Sequence, residues 1–431
     1  MDTLSEGLAM KPLDTPQVLT VSLERDLLPN GLIIESVLAA IGGRPAQAPA
    51  LLKAMVTGHL SNVLLRQGDM EFATLPWRQE ALDELRLHRA AGTRLILLAQ
   101  CGAEMARRAV AHLELFDEVV GDGQAAPATE SSIRQLSRPV RPPPIRDAVR
   151  ALRPHQWVKN VLVFVPLIVS GQFDDVSGWI YSVLAFVAFS LTASAIYLLN
   201  DLADLEADRI HARKRLRPFA SGVLPVMWGL WMAPALLFAG IGTAIMANGL
   251  PYLALYAVLS ISYSLDLKKR SLFDVFALAA LYTVRLYGGG EMSGHSPSVW
   301  LLGFSVFLFL GLALMKRMAE LVGTKADKLK RRGYKQADQP LLMAAGVASS
   351  FCASLVLALY LDSDQVQLIY SVPFRLWPIV PLMLFWQLKL WHKTLHGRMT
   401  DDPIVFAAKD RVSWIVGGLI LACSVFAGLH S

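Results

Sequence analysis

From about residue 155 onward, long apolar stretches alternate with short polar ones. Nine apolar segments stand out, at roughly 158–170, 179–199, 226–247, 251–265, 272–288, 299–315, 341–361, 373–391 and 411–429. Most approach the ~20 residues that an α-helix needs to cross a bilayer core. The first, fourth and fifth are short and need tilt, interfacial residues or packing against neighbours. Before residue 130 the pattern is different. "QVLTVSL" and "TRLILLAQ" are apolar runs of strand length, and "RQEALDELRLHRAAG" between them has helical periodicity, a charged face and a Gly stop. "AEMARRAVAHLELFDEVVGDG" reads as helix and then strand. Strands alternating with helices predict a parallel sheet. "SRPVRPPPIRDAVRALRP", rich in Pro and Arg, marks a boundary. The expected architecture is a soluble α/β domain over 1–130, a linker over 131–150, and a multi-pass α-helical membrane domain of nine transmembrane helices over 151–431.

Composition agrees with that division. Of 431 residues 54% are hydrophobic and 18% charged, against about 25% charged in soluble domains. The connections near 171–178, 248–250, 289–298 and 362–372 contain no Lys or Arg, whereas "RIHARKRLRP", "LKKRS", "KRMAELVGTKADKLKRRGYKQ" and "KLWHKTLHGRM" are heavily basic. The positive-inside tendency places the basic loops in the cytoplasm. The N-terminus lacks the basic start and apolar core of a secretory signal, so the first domain is expected on that side as well. Nine crossings then leave the C-terminus outside a bacterial-type cytoplasmic (inner) membrane. The net charge of +6 is assigned to these inner loops, and no nucleic-acid partner is expected. Cys101, Cys352 and Cys423 are far apart and form no CxxC, which predicts neither a disulfide framework nor a zinc site. Tyr256, Tyr263, Tyr282, Trp179 and Trp300 fall mainly near segment ends, where interface anchoring explains them.

One boundary is chemically unusual. The run Trp179 to Leu199 ends in Asn200, Asp201, Asp204, Glu206 and Asp208, followed by Arg209, Arg213, Lys214, Arg215 and Arg217. The bases can set topology, but acids contribute little to orientation. Asn200, Asp204 and Asp208 are spaced i, i+4, i+8 and share a helix face, which Asp201 borders. Carboxylates this close raise one another's pKa, and a divalent cation removes the conflict. Mg²⁺ takes oxygen ligands and is typically held by one or two carboxylates plus substrate phosphates. The ordinary alternative is a solvated helix end whose acids pair with Arg209 and Arg213.

"NDLADLEAD" fits the NDxxDxxxD pattern of the UbiA superfamily of intramembrane prenyltransferases, and "KRLRPFASG" resembles the family's continuation. "LRPHQWVKNVLVFVPLI", "YSLDLKKRSLFDVFALAALYTVRLYGGG" and "KRMAEL" are similar to decaprenyl-phosphate phosphoribosyltransferases within that superfamily. The resemblance covers about 280 residues. It departs from the aromatic prenyltransferases, whose second DxxxD motif is missing: Asp266 and Asp274 stand eight apart, separated by Lys268, Lys269 and Arg270.

The resemblance implies transfer of 5-phosphoribose from phosphoribosyl pyrophosphate to a polyprenyl phosphate, with release of diphosphate, for envelope glycan donors. Asp201, Asp204 and Asp208, with Asn200, are then the expected catalytic Mg²⁺ ligands. Lys159, Lys214, Arg217, Lys268, Lys269, Arg270, Asp274 and Arg285 are the expected substrate-binding residues. An ionisable group inside an apolar segment is a functional candidate by default, which singles out Arg285, with Asp274 as one possible ion-pair partner. Lys316 and Arg317 are equally explained by topology. "DDPIVFAAKDR" resembles a fused-domain branch of the family and suggests no chemistry by itself, and His155 and His211 flank the candidate sites. The partners are phosphoribosyl pyrophosphate, polyprenyl phosphate and the lipid bilayer, and a homo-oligomer is compatible with this reading. The alternative activity is transfer of an isoprenyl chain from its diphosphate to an aromatic acceptor. A transporter is disfavoured because the acids cluster at a helix end rather than at the midplane.

"VLTVSLERDLLPNGLIIESVL" aligns without gaps to the opening strand and loop of haloacid-dehalogenase-like phosphatases. Those proteins use DxDGT there, and this chain has Ser22, Glu24, Arg25 and Asp26 at the corresponding places. Without a carboxylate nucleophile no aspartyl-phosphate forms. The resemblance therefore implies a non-catalytic domain, and the expected downstream Lys is also missing from "GDGQAAPATESSIRQL".

Overall fold

The structure, a computed structural model, describes residues 18–43, 48–56, 60, 63–64, 72–121, 133–135, 145–323, 333–364, 366, 370, 372–399 and 402–428. Most of the expected linker, the stretch 122–132 and Asp401 lie outside the described residues. The chain forms two compact units. One combines Met1–Leu152 with Leu198–Met232, and the other Arg153–Tyr197 with Ala233–Ser431.

The first unit holds a parallel sheet of four strands, β1 (Val18–Ser22), β2 (Arg94–Ala99), β3 (Glu118–Gly121) and β4 (Ile133–Gln135), in the order β3-β2-β1-β4. Both expected apolar runs become the central pair, in register from Val18 opposite Arg94 to Ser22 opposite Leu98. Central strands of a parallel sheet are covered on both faces, which is why they read as continuous apolar runs. Leu19, Val21, Leu95 and Leu97 are buried accordingly. The helices are α1 (Leu32–Gly43), α2 (Ala48–Val56), α3 (Gln79–Ala90), α4 (Ala103–Val110) and α5 (Ile145–Ala151). After α3 the chain turns at Gly92, whose φ of 84° lies in the region that favours glycine.

The remaining helices are α6 (Val165–Val169), α7 (Val176–Ala203), α8 (Leu205–Ile210), α9 (Val226–Met246), α10 (Leu250–Leu265), α11 (Phe273–Ser293), α12 (Val299–Gly323), α13 (Gln339–Leu361), α14 (Ile379–Leu395), α15 (Pro403–Lys409) and α16 (Arg411–Gly428). Among the described residues, four helices are long and apolar enough to cross a membrane: Val176–Ala203, Val226–Met246, Val299–Val322 and Gln336–Leu361. A fifth arises if α15 and α16, bent by 83°, form one broken span. Of the other expected segments, that at 272–288 is one continuous 21-residue helix, α11, but less apolar, and the rest are shorter or interrupted. The segment at 158–170 is a 3-10 run, Pro154–Phe164, followed by the short α6. Pro166 stands in the first turn of α6, where its missing N–H leaves no helical bond unmade. The segment at 373–391 begins with a 3-10 turn, Pro373–Leu376, before α14.

In the second unit α12 and α13 pack along their length, and α11 and α14 join them. Trp391 of α14 is fully buried over Gly346 of α13, where a Cβ would stand 2.1 Å from the indole ring. Its Nε1 donates to Ser350 Oγ at 3.3 Å. A second core, around Phe189 and Tyr256 in edge-on contact at 5.3 Å, joins α7, α10 and α11. Phe238, Phe276, Leu355 and Trp414 point outward, as suits an apolar solvent.

Candidate active site: an acidic helix end and a cationic cluster

The acidic row lies where α7 passes into α8. Asp204 sits at the break with φ −93° and ψ 11°, yet the helical bonds continue across it. Asp204 N donates to Asn200 O at 2.9 Å, and Asp208 N to Asp204 O at 2.8 Å. The i, i+4, i+8 stacking expected from spacing is therefore kept. Asp201 and Asp208 are buried and Asp204 is half-buried. Arg217 Nη1 donates both to Asp201 Oδ1, at 3.0 Å, and to Asp208 Oδ2. Lys214 Nζ stands 3.4 Å from Asp208 Oδ1, an oxygen without a hydrogen bond among the described residues. Two of the bases expected on substrate thus lie on the acids. His211 Nδ1 accepts from the backbone N–H of Arg213 at 3.2 Å and so stabilises the turn between α8 and these bases.

Among the described residues no three acid, His or Cys side chains converge as a closed metal cage. The arrangement is an open one. Asp201 and Asp208 share one positive nitrogen, and the other oxygen of Asp208 is buried, meets only the Lys214 ammonium and makes no hydrogen bond among the described residues. An all-oxygen donor set with two convergent carboxylates fits Mg²⁺, which takes its remaining ligands from water and phosphate.

A second cluster is assembled in the other unit. Lys159 Nζ and Lys316 Nζ each lie 2.9 Å from Asp402 Oδ2. Tyr282 Oη donates to Asp402 Oδ1 at 3.0 Å, and Asp402 caps α15 by accepting from Ile404 N at 3.3 Å. Nearby, Arg285 is 4% exposed. Its Nε donates to Asn160 Oδ1 at 2.7 Å, its Nη2 to Tyr256 Oη at 3.0 Å and its Nη1 to Leu281 O, while the guanidinium lies 4.5 Å from the Tyr256 ring centre. Tyr282 borders both groups, with Lys159 Nζ 6.0 Å and the Arg285 guanidinium 5.8 Å from its ring centre. Two lysines therefore hold one carboxylate, and Arg285 lies across the Tyr282 ring from them, so that three cations and one carboxylate leave a local surplus of two positive charges in a largely buried setting. Such a setting attracts anions strongly because water screens it little.

Asp274 does not pair with Arg285. Eleven residues on one helix separate two positions by about 16 Å along its axis, and Asp274 instead takes Arg317 and, at 2.6 Å, the Tyr334 hydroxyl. Arg317 also donates to Tyr263 Oη and Glu320 Oε2, each at 2.7 Å. Being 1% exposed, it is a buried structural link rather than a loop charge. Tyr334 Oη in turn accepts from Leu272 N at 2.8 Å, which ties down the turn carrying Lys268, Lys269 and Arg270. Of those bases, Arg270 pairs with Asp266 at 2.7 Å on an exposed surface. Asp402, the hub of the cationic cluster, was not singled out from the sequence. An Asp directly before a helix-starting Pro is a capping signal, and that was the one local mark it carried.

The second cluster and the acidic row lie in a chain whose residues 161–399 match the UbiA prenyltransferase family. The chain belongs to that family, and its apolar helices are those of an integral membrane protein. It is 31% identical to the protein y4nM of Sinorhizobium fredii, covering 95% of this chain and 90% of the other. It is 39% identical to the decaprenyl-phosphate phosphoribosyltransferase of Corynebacterium glutamicum, over 40% of this chain and 54% of that enzyme. A solved UbiA homolog from Archaeoglobus fulgidus bound to GPP and Mg2+ aligns with a TM-score of 0.48 and 16% identity, covering 64% of this chain and 99% of the other.

Proposed function

We propose that the chain transfers the 5-phosphoribosyl group of phosphoribosyl pyrophosphate to a polyprenyl phosphate. The observation that carries this reading is the surplus cationic cluster of Lys159, Lys316 and Arg285. A single acidic motif accompanied by several bases suits a donor that bears a diphosphate and a further phosphate, with a lipid phosphate as acceptor. The partial likeness to decaprenyl-phosphate phosphoribosyltransferases supports it independently.

Asp201, Asp204 and Asp208, with Asn200, would hold Mg²⁺, which when bound neutralises charge gathering on the departing diphosphate. Lys159, Lys316 and Arg285 bind phosphate oxygens. Arg285 is already oriented by Asn160 and Tyr256, so little ordering remains to be done on binding. The bond from C1 to the diphosphate oxygen breaks as a bond from a lipid phosphate oxygen to C1 forms, with inversion at that carbon. The acceptor is already anionic, so no general base is needed. The product suits a donor for envelope glycans, and the domain lies in the cytoplasmic membrane with its basic loops inside.

The N-terminal domain is read as a non-catalytic relative of phosphatases. Glu24 Oε1 accepts from the backbone N–H groups of Gln100, at 2.9 Å, and Cys101, at 3.2 Å, so a side chain of the domain itself occupies these two donors beyond β2.

The test is incubation of the purified chain with polyprenyl phosphate and labelled phosphoribosyl pyrophosphate, with and without Mg²⁺. Lipid-extractable label is expected only with Mg²⁺, and about 10²-fold less or lower in Asp204→Ala and Asp208→Ala. Label transfer that survives both substitutions removes the acidic row from the mechanism.

A further inference from the structure

The N-terminal domain contributes two polar residues to the segment that carries the acidic row. Glu35 of α1, 1% exposed, accepts from Arg209 Nη2 on both carboxylate oxygens at 2.9 Å. Arg209 immediately follows Asp208. Glu35 Oε1 also accepts from Asn30 Nδ2 at 2.7 Å, and Asn30 Oδ1 accepts from the backbone N–H of Val226, the first residue of α9, at 2.8 Å. One buried network therefore holds both ends of the stretch 209–226, which includes Lys214 and Arg217. A third contact lies beside it. A Cβ on Gly42 of α1 would stand 2.1 Å from Ala203 O, so α1 packs directly on the last turn of α7.

We propose that Glu35 is a positioning residue for the acidic row, and that the N-terminal domain serves the transferase by setting the charge balance there. Asp208 already meets Arg217 and Lys214. Arg209 adds a third cation in the same stretch, and Glu35 neutralises it. Without Glu35, the buried guanidinium is left without its carboxylate partner and competes with a divalent cation for Asp201 and Asp208. The inference rests on the metal-holding role proposed for the row, but not on which group is transferred.

The experiment uses the full purified chain and needs no turnover: retention of labelled inorganic diphosphate is measured as a function of Mg²⁺ concentration. In Glu35→Gln the Mg²⁺ needed for half-maximal retention is expected to rise at least tenfold. In Glu35→Gln/Arg209→Gln, which removes both charges, it is expected to return to within threefold of wild type. A purely structural pair predicts that the double variant stays impaired, and that result overturns the proposal, as does an unchanged Glu35→Gln. If Glu35→Gln does not fold, Arg209→Gln, which removes the cation that Glu35 neutralises, decides the matter: half-maximal retention at or below about threefold the wild-type Mg²⁺ concentration supports the proposal, and a larger rise overturns it. Wild-type retention independent of Mg²⁺ also overturns it. A chain that retains diphosphate in the predicted pattern yet makes no phosphoribosyl-lipid leaves this inference standing and removes the phosphoribosyl reading alone.

Discussion

The acidic row and the cationic cluster are built in opposite ways. The row comes from one continuous stretch, Asn200 to Arg217, in which every acid and base is within three helical turns or one short loop of the others. The cluster comes from four separate places: the 3-10 run at Lys159, α11 at Tyr282 and Arg285, α12 at Lys316, and the cap of α15 at Asp402. Local assembly lets charges adjust, and on the proposed reading Arg217 leaves the two carboxylates when a divalent cation binds. Assembly across the fold fixes charges in place, because each partner is held by a different element. This difference matches a division of labour in which the row exchanges ligands while the cluster stays preformed.

Substitution of the hubs sharpens the contrast. Asp402→Asn removes the carboxylate from two largely buried lysines and leaves their charges uncompensated. We expect a loss of about 3 kcal/mol in stability, read as earlier unfolding of the detergent-solubilised chain, together with loss of activity. Asp204→Ala, at the half-buried position of the row, is expected to abolish turnover with little effect on unfolding. Equal destabilisation by the two variants would erase the distinction. Tyr282→Phe is the gentler probe of the cluster. It removes one hydrogen bond to a carboxylate that keeps both lysines, an effect of about 1.5 kcal/mol visible in the same unfolding measurement.

The smallest expected effect concerns the N-terminal domain. Burial, then the neighbouring charge of Glu24, pushes the Cys101 thiol up to about 12. The folded chain binds that proton more tightly than the unfolded one. The associated stability is therefore present below the unfolded value, near 9, and is lost as pH rises toward 12. Native Cys101 is expected to resist alkylation at pH 8, and Glu24→Gln to bring its thiol pKa down. Rapid alkylation of the native thiol contradicts the packing around Glu24.

The same contrast explains what the sequence made legible. The alignment of Asn200, Asp204 and Asp208 was legible because helical spacing converts directly into a shared face, and the structure keeps the helical bonds across the break at Asp204. β1, β2, α3 and α4 were legible for the same reason, since each depends on periodicity within one short stretch. Asp402 was not, because its meaning depends on Lys159, 243 residues away, and on Tyr282, 120 away. Arg285 was recognised as a charge within an apolar segment, but its side-chain partners are Asn160 and Tyr256 of other segments rather than Asp274 of its own. The anchoring of Arg209 by Glu35, across 174 residues, had no local signature either. Arg209 looked like one more topology-setting base.

The most direct measurement offers the purified chain, with Mg²⁺, both donors in one vessel: phosphoribosyl pyrophosphate with polyprenyl phosphate, and an isoprenyl diphosphate with an aromatic acceptor. Mass spectrometry of the lipid extract then shows which group has moved. The account predicts phosphoribosylated polyprenyl phosphate from the wild type and none from Asp208→Ala. A prenylated aromatic product without phosphoribosyl-lipid would contradict it.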